Sequence, residues 1–475
     1  MTTSSEILPN DRRKGLISNS LQVSGKEETS SSECSSGGCL PGISHCGAIL
    51  LINCFLNFIM DFATEAVFSP FFPQEARDKG VSGTIVGLIF GTYSFVIFIF
   101  SPFCGVLIPK YGPRFVLYSG LLLCGGSLVL FGFCDMIVDR DVFIAVCFVL
   151  RATCAIGGAA TETSTVSILL TKFPDNVGMV SGVVETAAGA GNAFGPVIGG
   201  FLYTVGGFKL PFFVTGGTLI GAIPIIALAL GKGEEEKKDE DKESISRLKV
   251  LKIPSALMLS LCFVVSGFSF PYFEPVLGPH LEQMGQNTTQ IYLVFLYWSG
   301  TYTLLAPIVG YIGDKTNCYR SMIIVGFIGF FIGYLLMGPA SFLTFLPPKT
   351  IWLVIFAITI QGIAGGFAFV PIMPDLIKSL RANGMPDNSS TNALVSSIYG
   401  SMYYLGATIG PSLAGVLDDH FGFEWAMSVA AFICLFHTLV ICLFTMSEKI
   451  SLRGNSDPSE REPLTVNSRK RTTIE

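Results

Sequence analysis

The chain has 475 residues, of which half are hydrophobic and only 14% are charged, and its mean hydropathy is +0.59, which excludes an ordinary soluble domain. Its net charge of −5 says little, because in a membrane protein the position of each charge matters more than the sum. Most of the 13 cysteines stand singly in apolar runs, without metal-ligand spacing or the framework of a secreted disulfide scaffold. Composition therefore predicts an integral membrane protein.

The first 46 residues are polar and rich in serine, and they contain no apolar stretch of the kind found in a cleaved signal peptide. We expect residues 1–46 to form a disordered tail.

Apolar runs of about 20 residues, the length needed to cross a bilayer as a helix, predict twelve transmembrane spans. They fall at 47–70, 83–108, 115–134, 142–170, 179–203, 211–231, 254–277, 288–313, 321–340, 350–378, 389–417 and 424–446. A linker of mixed charge, 232–253, separates the first six from the last six. The predicted fold is an all-α membrane protein with two six-helix halves, 47–231 and 254–446, followed by a tail, 447–475.

The distribution of Lys and Arg predicts the orientation. Of the 30 basic residues, about 24 lie on the side that holds both tails and the linker, so both termini are expected in the cytoplasm. The Asn287-Thr-Thr sequon then faces the lumen, where it is open to glycosylation, whereas the sequon at Asn388 is cytoplasmic and silent.

The two halves repeat each other. "GNAFGPVIGG" (191–200) in the fifth span matches "GATIGPSLAG" (406–415) in the eleventh, and small residues in such a motif let helices approach closely while the proline bends them. The central residues of the two copies are Gly195, Pro196, Gly410 and Pro411. Duplicated halves place a substrate path on the axis between them.

A second repeat lies in the loops after the second and eighth spans, "GVLIPKYGPR" (105–114) and "GYIGDKTNCYR" (310–320). The matching residues are Gly105 with Gly310 and Lys110 with Lys315. The second copy has Asp314 where the first has Pro109, so we expect the first half to depend less on a charge network at the cytoplasmic face.

Six charged residues fall inside predicted spans, where an ionised group costs a few kcal/mol unless it faces a cavity or a partner. They are Asp61, Glu65, Arg151, Glu162, Glu185 and Glu274. Five acids against one base predict an acidic interior, which suits cations and protons rather than anions.

Asp61 and Glu65 are four residues apart, so both carboxylates lie on one helix face at about 6 Å. Like charges so close in a low dielectric do not both ionise readily, so a proton and a cation can compete for the pair. If Glu65 instead lies at the lumenal end, it is simply hydrated.

Glu274 stands in "FSFPYFEPVLG", directly after Tyr272 and Phe273 and before the helix-breaking Pro275. A carboxylate beside aromatic rings is a reasonable ammonium site, unless those rings face lipid. Symmetry between the halves places Glu274 opposite Asp61 or Glu65, so a cargo with amino groups at both ends could bridge them.

Arg151 and Glu162 lie eleven residues apart, or about 16 Å along a helix, so they cannot pair directly. Glu185 is expected either to pair with Arg151 or to serve with Glu162 as a proton site. Tyr302 and Tyr403 are further inward candidates for binding cargo, alongside Tyr399 and Tyr404.

The Gly-Pro repeat, the loop repeat, and Arg151 with Gly157 and Gly158 resemble signatures of the major facilitator superfamily. The resemblance assigns Arg151, the Gly-Pro residues and the loop residues to structural or gating roles.

Within that superfamily, "DFATEAVFSPFFP" and "FEPVLG" resemble the vesicular amine transporters. "SPFFPQEA", "TKFPDNVG", "FGPVIGGFLY" and "GFEWA" look most like the vesicular polyamine transporter branch. Gly400 occupies the position of an acid in the monoamine and acetylcholine relatives, which argues against those cargoes.

The resemblance implies a proton-coupled antiporter that loads spermine or spermidine into an acidic vesicle. The alternatives are an organic-cation or drug exporter of the plasma membrane and a membrane scaffold that does not transport. No enzyme motif, cofactor site, metal site or nucleic-acid partner is expected, and the protein is expected to act as a monomer in the bilayer.

Overall fold

The computed structural model describes residues 45–63, 72–229, 250, 252–338, 350–386 and 388–455, and these residues contain α-helices and no β-strand. The helices are α1 (His45–Asp61), α2 (Phe72–Asp78), α3 (Gly83–Tyr111), α4 (Pro113–Phe131), α5 (Arg140–Lys172), α6 (Val177–Gly206), α7 (Lys209–Ala229), α8 (Pro254–Ser269), α9 (Glu274–Gln283), α10 (Thr288–Thr316), α11 (Tyr319–Met337), α12 (Ile351–Phe369), α13 (Ile372–Ala382), α14 (Ser389–Phe421) and α15 (Phe423–Asn455). The prediction of an all-α membrane fold is confirmed.

Nine stretches of the described residues are long and apolar enough to cross a bilayer. The predicted first, fifth and eleventh spans, which correspond to α1, α6 and α14, do not meet this criterion. Within the first and fifth of these spans the structure has shorter apolar helical stretches, Gly47–Asp61 and Val197–Gly206. The count of twelve spans therefore stays a prediction.

Two predicted spans are each built from two helices. The seventh span consists of α8 and α9, which are separated by a break at 270–273, and Pro275 lies in the first turn of α9. The tenth span consists of α12 and α13, which are separated by a break at Val370 and Pro371. Proline lacks the amide hydrogen that a continuing helix would need, so it is favoured where a helix begins. The first break sets Glu274 at the start of a new helix.

Two separate hydrophobic cores support the molecule. One is formed by residues between Ile49 and Ile226, and the other mainly by residues between Val250 and Ile441. Where the cores meet, α6 packs against α10, and α14 packs against α3 and α5. Most of the predicted tails and linker lies outside the described residues, but α15 continues to Asn455, so the tail predicted from 447 begins as helix.

One end of the bundle is called the tail side below. It holds the start of α6 and the end of α10, which are joined by hydrogen bonds from Gly178 and Met179 to Asp314. It also holds the start of α11 and the last turns of α15, which Arg320 and Glu448 join by an ion pair. The sequence predicts that this side is cytoplasmic.

Candidate functional site

A partly open cavity with a volume of about 40 Å³ lies between the two cores. It is bordered by α1, α5 and α6 on one side and by α8, the α12–α13 break and α14 on the other. Its lining residues are Asn53, Asn57, Glu162, Val166, Leu169, Ser181, Val184, Glu185, Phe263, Phe369, Val370, Met373 and Tyr399. The combination of acids, amides and aromatic rings is that of a small-molecule site rather than of a dry helix interface.

Glu162 and Glu185 face each other in this cavity, close enough for their charges to interact. Tyr302 donates a hydrogen bond of 3.0 Å to Glu185 Oε2. The Tyr399 hydroxyl lies beside both acids, so its one proton can be directed to either of them, and the Tyr404 hydroxyl faces Glu162. Two carboxylates held together away from bulk water favour a state in which at least one of them carries a proton.

Asp61 and Glu274 lie around the same tyrosine cluster. Asp61, half-buried at the end of α1, interacts electrostatically with Tyr302, Tyr403 and Tyr404. Glu274 is exposed at the first residue of α9 and interacts with Tyr403. Tyr403 is thus within electrostatic reach of all four acids, Asp61, Glu162, Glu185 and Glu274. Glu65, the other predicted acid, lies outside the described residues.

The acids lie at different depths, because their positions along the helices differ. Glu185 is about 12 Å from the tail-side end of α6, and Glu162 is about 15 Å from the tail-side end of α5. Asp61 is about 24 Å from the start of α1. The acids therefore lie at two levels along the bundle. The inner level, Glu162 with Glu185, is nearer the tail side, and the outer level begins at Asp61, farther from the tail side.

Two other predicted binding residues, Tyr272 and Phe273, lie in the core of the second half rather than at the cavity. Tyr272 is fully buried and donates a hydrogen bond of 2.8 Å to the Ala426 carbonyl, and Phe273 packs edge-on against Trp298 at 5.0 Å. The structure brings Tyr302 and Tyr403 to the acids but leaves Tyr272 and Phe273 in supporting positions.

Arg151 stacks over the Tyr93 ring at 4.4 Å and is 3% exposed. Cys124 and Cys154, whose sulfur atoms are 3.3 Å apart, lie in its electrostatic neighbourhood. Glu185 accepts a hydrogen bond from Tyr302 and lies beside Glu162, and its role as a proton site shared with Glu162 stays a prediction.

The predicted gating residues of the second loop close the tail side. The Asp314 carboxylate accepts hydrogen bonds from the backbone amides of Gly178, at 3.0 Å, and Met179, at 2.7 Å, and from Tyr319 at 3.0 Å. The residue before α6, Asn176, makes no capping bond with its own side chain, so Asp314 caps that helix from the other half. Gly310 packs so closely on Gly178 that an added Cβ would lie 2.1 Å from its carbonyl oxygen.

The first loop forms no equivalent carboxylate cap, since its matching residue is Pro109, within α3. Gly105 is half-buried in α3, and Lys110 lies over the Tyr111 ring at 5.1 Å, as Lys315 lies over the Tyr311 ring at 5.9 Å. The contacts on this side of the interface include a hydrogen bond of 3.1 Å from Asn392, in α14, to Thr171, in α5.

The Gly-Pro repeats pack each half onto its own first long helix. An added Cβ on Gly191 would lie 2.3 Å from the Phe58 carbonyl oxygen in α1, and one on Gly406 would lie 2.0 Å from the Val264 carbonyl oxygen in α8. Gly410 similarly abuts the Phe268 carbonyl, and Gly195 is buried. Pro196 and Pro411 lie within the continuous helices α6 and α14.

Three polar residues of the cavity have no role in the sequence-based assignment: Asn53, Asn57 and Ser181. The only sequence signal for the two amides is their spacing of four residues in α1, one and two turns before Asp61. Neutral polar residues are common in membrane helices, so composition alone does not distinguish them from packing residues.

The fold and the site together define a multi-pass membrane protein with an acid-lined cavity between two helical cores. The sequence profile of the Major Facilitator Superfamily matches residues 54–386 and, in a second match, 259–472. The chain belongs to this family. Its relatives bear the names of transporters and not of enzymes.

Among curated proteins, the chain is 33% identical over 397 residues to the MFS-type transporter SLC18B1 of Mus musculus, covering 83% of this chain and 85% of the relative. It is 24% identical over 392 residues to the synaptic vesicular amine transporter of Homo sapiens, covering 79% of this chain and 69% of the relative. Among solved structures, the human organic anion transporter MFSD10 (TETRAN) matches with a TM-score of 0.65 and 14% identity, covering 83% of this chain and 99% of that one, which shows the common fold.

Proposed function

We propose that this protein is a proton-coupled antiporter that moves polyamines, such as spermine and spermidine, into an acidic vesicle by alternating access. The observation that carries the proposal is the pairing of Glu162 and Glu185, joined by Tyr399, in a cavity between the halves. Each carboxylate can hold either a proton or a share of a cation, so the binding of one displaces the other. The similarity to vesicular amine transporters supports an amine as cargo.

The two levels of charge support a cargo with more than one ammonium group. One end of an extended polyamine binds between Glu162 and Glu185, while the other end reaches Asp61 and then Glu274. The tyrosines between the levels, Tyr302, Tyr403 and Tyr404, supply rings for cation–π attraction along the methylene chain. A monoamine would satisfy only one level.

Alternating access requires the contacts of the tail side to break while the opposite side closes. The capping of α6 by Asp314 is suited to this task, because it joins the two halves through one carboxylate. Protons from an acidic lumen reach the acids when the tail side is closed, and they release the cargo there.

The test is uptake into proteoliposomes with an acidic interior. We expect the purified protein to accumulate labelled spermine, and we expect an ionophore that collapses the pH gradient to abolish accumulation. Glu162→Gln and Glu185→Gln should each reduce uptake at least about tenfold, because a buried charge contact of this kind contributes 1.4 kcal/mol or more. Glu282→Gln, at an exposed acid at the end of α9, is the matched control and should transport normally.

Two outcomes would reject the proposal. Undiminished spermine uptake by both Glu162→Gln and Glu185→Gln would show that this pair of acids does not bind the cargo or the proton. Uptake of spermine that does not depend on the pH gradient would remove the coupling.

The same assay separates the alternatives. A plasma-membrane exporter of other organic cations would prefer a monoamine or a hydrophobic cation to spermine, and the tagged protein would be found at the cell surface. A scaffold would show no flux, and Asp61→Asn would change nothing.

A further inference from the structure

We propose that Asn53, Asn57 and Ser181 form a subsite that accepts N–H hydrogen bonds from a primary ammonium group and thereby selects it over a quaternary ammonium group. The subsite deepens the proposed function and rests on it. It lies at the inner level of charge, beside Glu162 and Glu185.

The orientation of both amides follows from their hydrogen bonds. Asn53 Nδ2 donates to the Ile49 carbonyl at 3.0 Å, and Asn57 Nδ2 donates to the Asn53 carbonyl at 2.9 Å. A carbonyl oxygen can only accept, so in each amide the nitrogen must face the helix backbone and the oxygen must point away from it. Helix α1 thus presents two side-chain carbonyl oxygens one turn apart.

Two atoms at this subsite are buried without a hydrogen-bond partner among the residues that the structure describes. They are Asn53 Oδ1, on a side chain only 3% exposed, and Ser181 Oγ. A buried polar atom without a partner costs about 1–3 kcal/mol, so such atoms mark a place where a ligand completes the bonding. Both residues line the cavity.

The amide donors of the subsite are already committed, because both asparagine NH₂ groups bind the α1 backbone. The Ser181 hydroxyl can turn its single proton toward a carboxylate and still accept through its lone pairs, and the Tyr399 hydroxyl lies beside the two acids. What remains free is a set of acceptors: carboxylate oxygens, amide oxygens and a serine oxygen. A primary ammonium group brings three N–H donors to this set, whereas a trimethylammonium group brings none and would leave the acceptors unpaired.

The aromatic part of the lining does not make this distinction. Phe263, Phe369 and Tyr399 form a triangle with ring centroids 5.4 to 6.2 Å apart, and such rings attract either kind of cation. Charge and rings therefore set affinity for cations in general, and the amide and serine oxygens set the preference for N–H donors.

The experiment compares the affinity of the full-length, detergent-purified protein for spermine and for a spermine analogue with trimethylammonium ends. We expect Asn53→Leu to weaken spermine binding about tenfold and to change binding of the analogue by no more than about twofold. Ser181→Ala, a smaller change, should shift the same ratio by about threefold. Uptake of both compounds by proteoliposomes should show the same change in preference.

The controls remove equivalent groups outside the cavity. Asn383 makes the same bond to the helix backbone, Nδ2 to the Ser379 carbonyl at 2.8 Å, but lies at the exposed end of α13. Ser127 is buried in α4 and donates to the Leu123 carbonyl at 2.7 Å. Asn383→Leu and Ser127→Ala should leave the preference for spermine unchanged.

The subsite is overturned if both variants weaken the two compounds equally, or if neither variant changes the ratio. If Asn53→Leu does not fold, the ratio measured with Ser181→Ala decides. A wild-type protein that neither binds nor transports spermine refutes the proposed function itself, whereas normal spermine transport with an unaltered ratio refutes only the subsite.

Discussion

At the scale of single residues, a few tyrosine hydroxyls organise the acidic interior. The Tyr399 hydroxyl lies beside Glu162 and Glu185, and Tyr302 donates a hydrogen bond of 3.0 Å to Glu185. Hydrogen bonds to charged groups are stronger than those between neutral groups, so these contacts fix the direction of each carboxylate. Both acids line the cavity in this arrangement.

Removing one of these hydroxyls should weaken cargo binding without unfolding the protein. In Tyr302→Phe the ring keeps its edge-on contact with Phe270 at 4.8 Å, but Glu185 loses its donor. We expect the KM for spermine uptake to rise about tenfold, because a charge-assisted hydrogen bond contributes about 1.5–3 kcal/mol.

The matched control is Tyr297→Phe, on the same helix. The Tyr297 hydroxyl binds Thr359 at 3.0 Å on an exposed face, away from the cavity. Equal effects of the two substitutions on KM would contradict a specific role for Tyr302.

At the scale of elements, the interface of α6 with α10 depends on backbones that approach without side chains between them. Gly178 abuts Gly310, and an added Cβ on Gly182 would lie 2.4 Å from the Ala306 carbonyl oxygen. These glycines lie on the tail-side part of the interface, next to the Asp314 cap. Close packing and capping therefore act on the same contact between the halves.

A methyl group at Gly310 should force these helices apart. Gly310→Ala places Cβ 2.1 Å from a backbone oxygen that cannot turn away, so we expect a lower Tm in detergent and slower uptake. Gly300→Ala is the control on the same helix, because its Cβ would meet no atom within 4 Å. A Gly310→Ala protein with the wild-type Tm and uptake rate would show that the interface does not pack as described.

At the scale of the whole molecule, two sequons provide a test of orientation. Asn287 caps α10 and Asn388 caps α14, and the alternating direction of the helices sets these caps at opposite ends of the bundle. If the tail side is cytoplasmic, only Asn287 lies in the lumen.

We expect the protein from mammalian cells to lose mass on treatment with an N-glycosidase, and Thr289→Ala to abolish that loss. This substitution destroys the sequon but keeps Asn287, whose side chain binds the Gln290 amide at 2.9 Å. Ser390→Ala, in the other sequon, should not alter the glycosylated mass. Glycosylation that depends on Ser390 instead would reverse the predicted orientation.

The sequence predicts the class of fold, the family and the difference between the loops after the second and eighth spans. These predictions depend only on hydropathy and on short motifs of consecutive residues. Asp314 and Pro109 differ in the sequence, and their surroundings differ accordingly. The apolar spacing also predicts helices in the right places, although α15 extends further than its apolar stretch.

Contacts between helices could not be predicted in this way. Glu162 and Glu185 are brought together by the packing of α5 and α6 against α1, and the rotation of α8 and α9 turns Tyr272 and Phe273 into the core. The acceptor role of Asn53 depends on which way its amide is turned, which is fixed by one hydrogen bond to the backbone. A residue's direction within a bundle is not encoded by its spacing alone.

The loops after the second and eighth spans differ, with Pro109 in the first and Asp314 in the second, and this difference has a mechanical consequence. The α6–α10 edge is held by a carboxylate on a helix terminus, an attraction that salt weakens, while the α5–α14 edge includes a neutral hydrogen bond that salt hardly affects. High ionic strength on the tail side would thus loosen one edge of the molecule and leave the other as a hinge. The halves would then part as a wedge, with the widest gap beside α6 and α10.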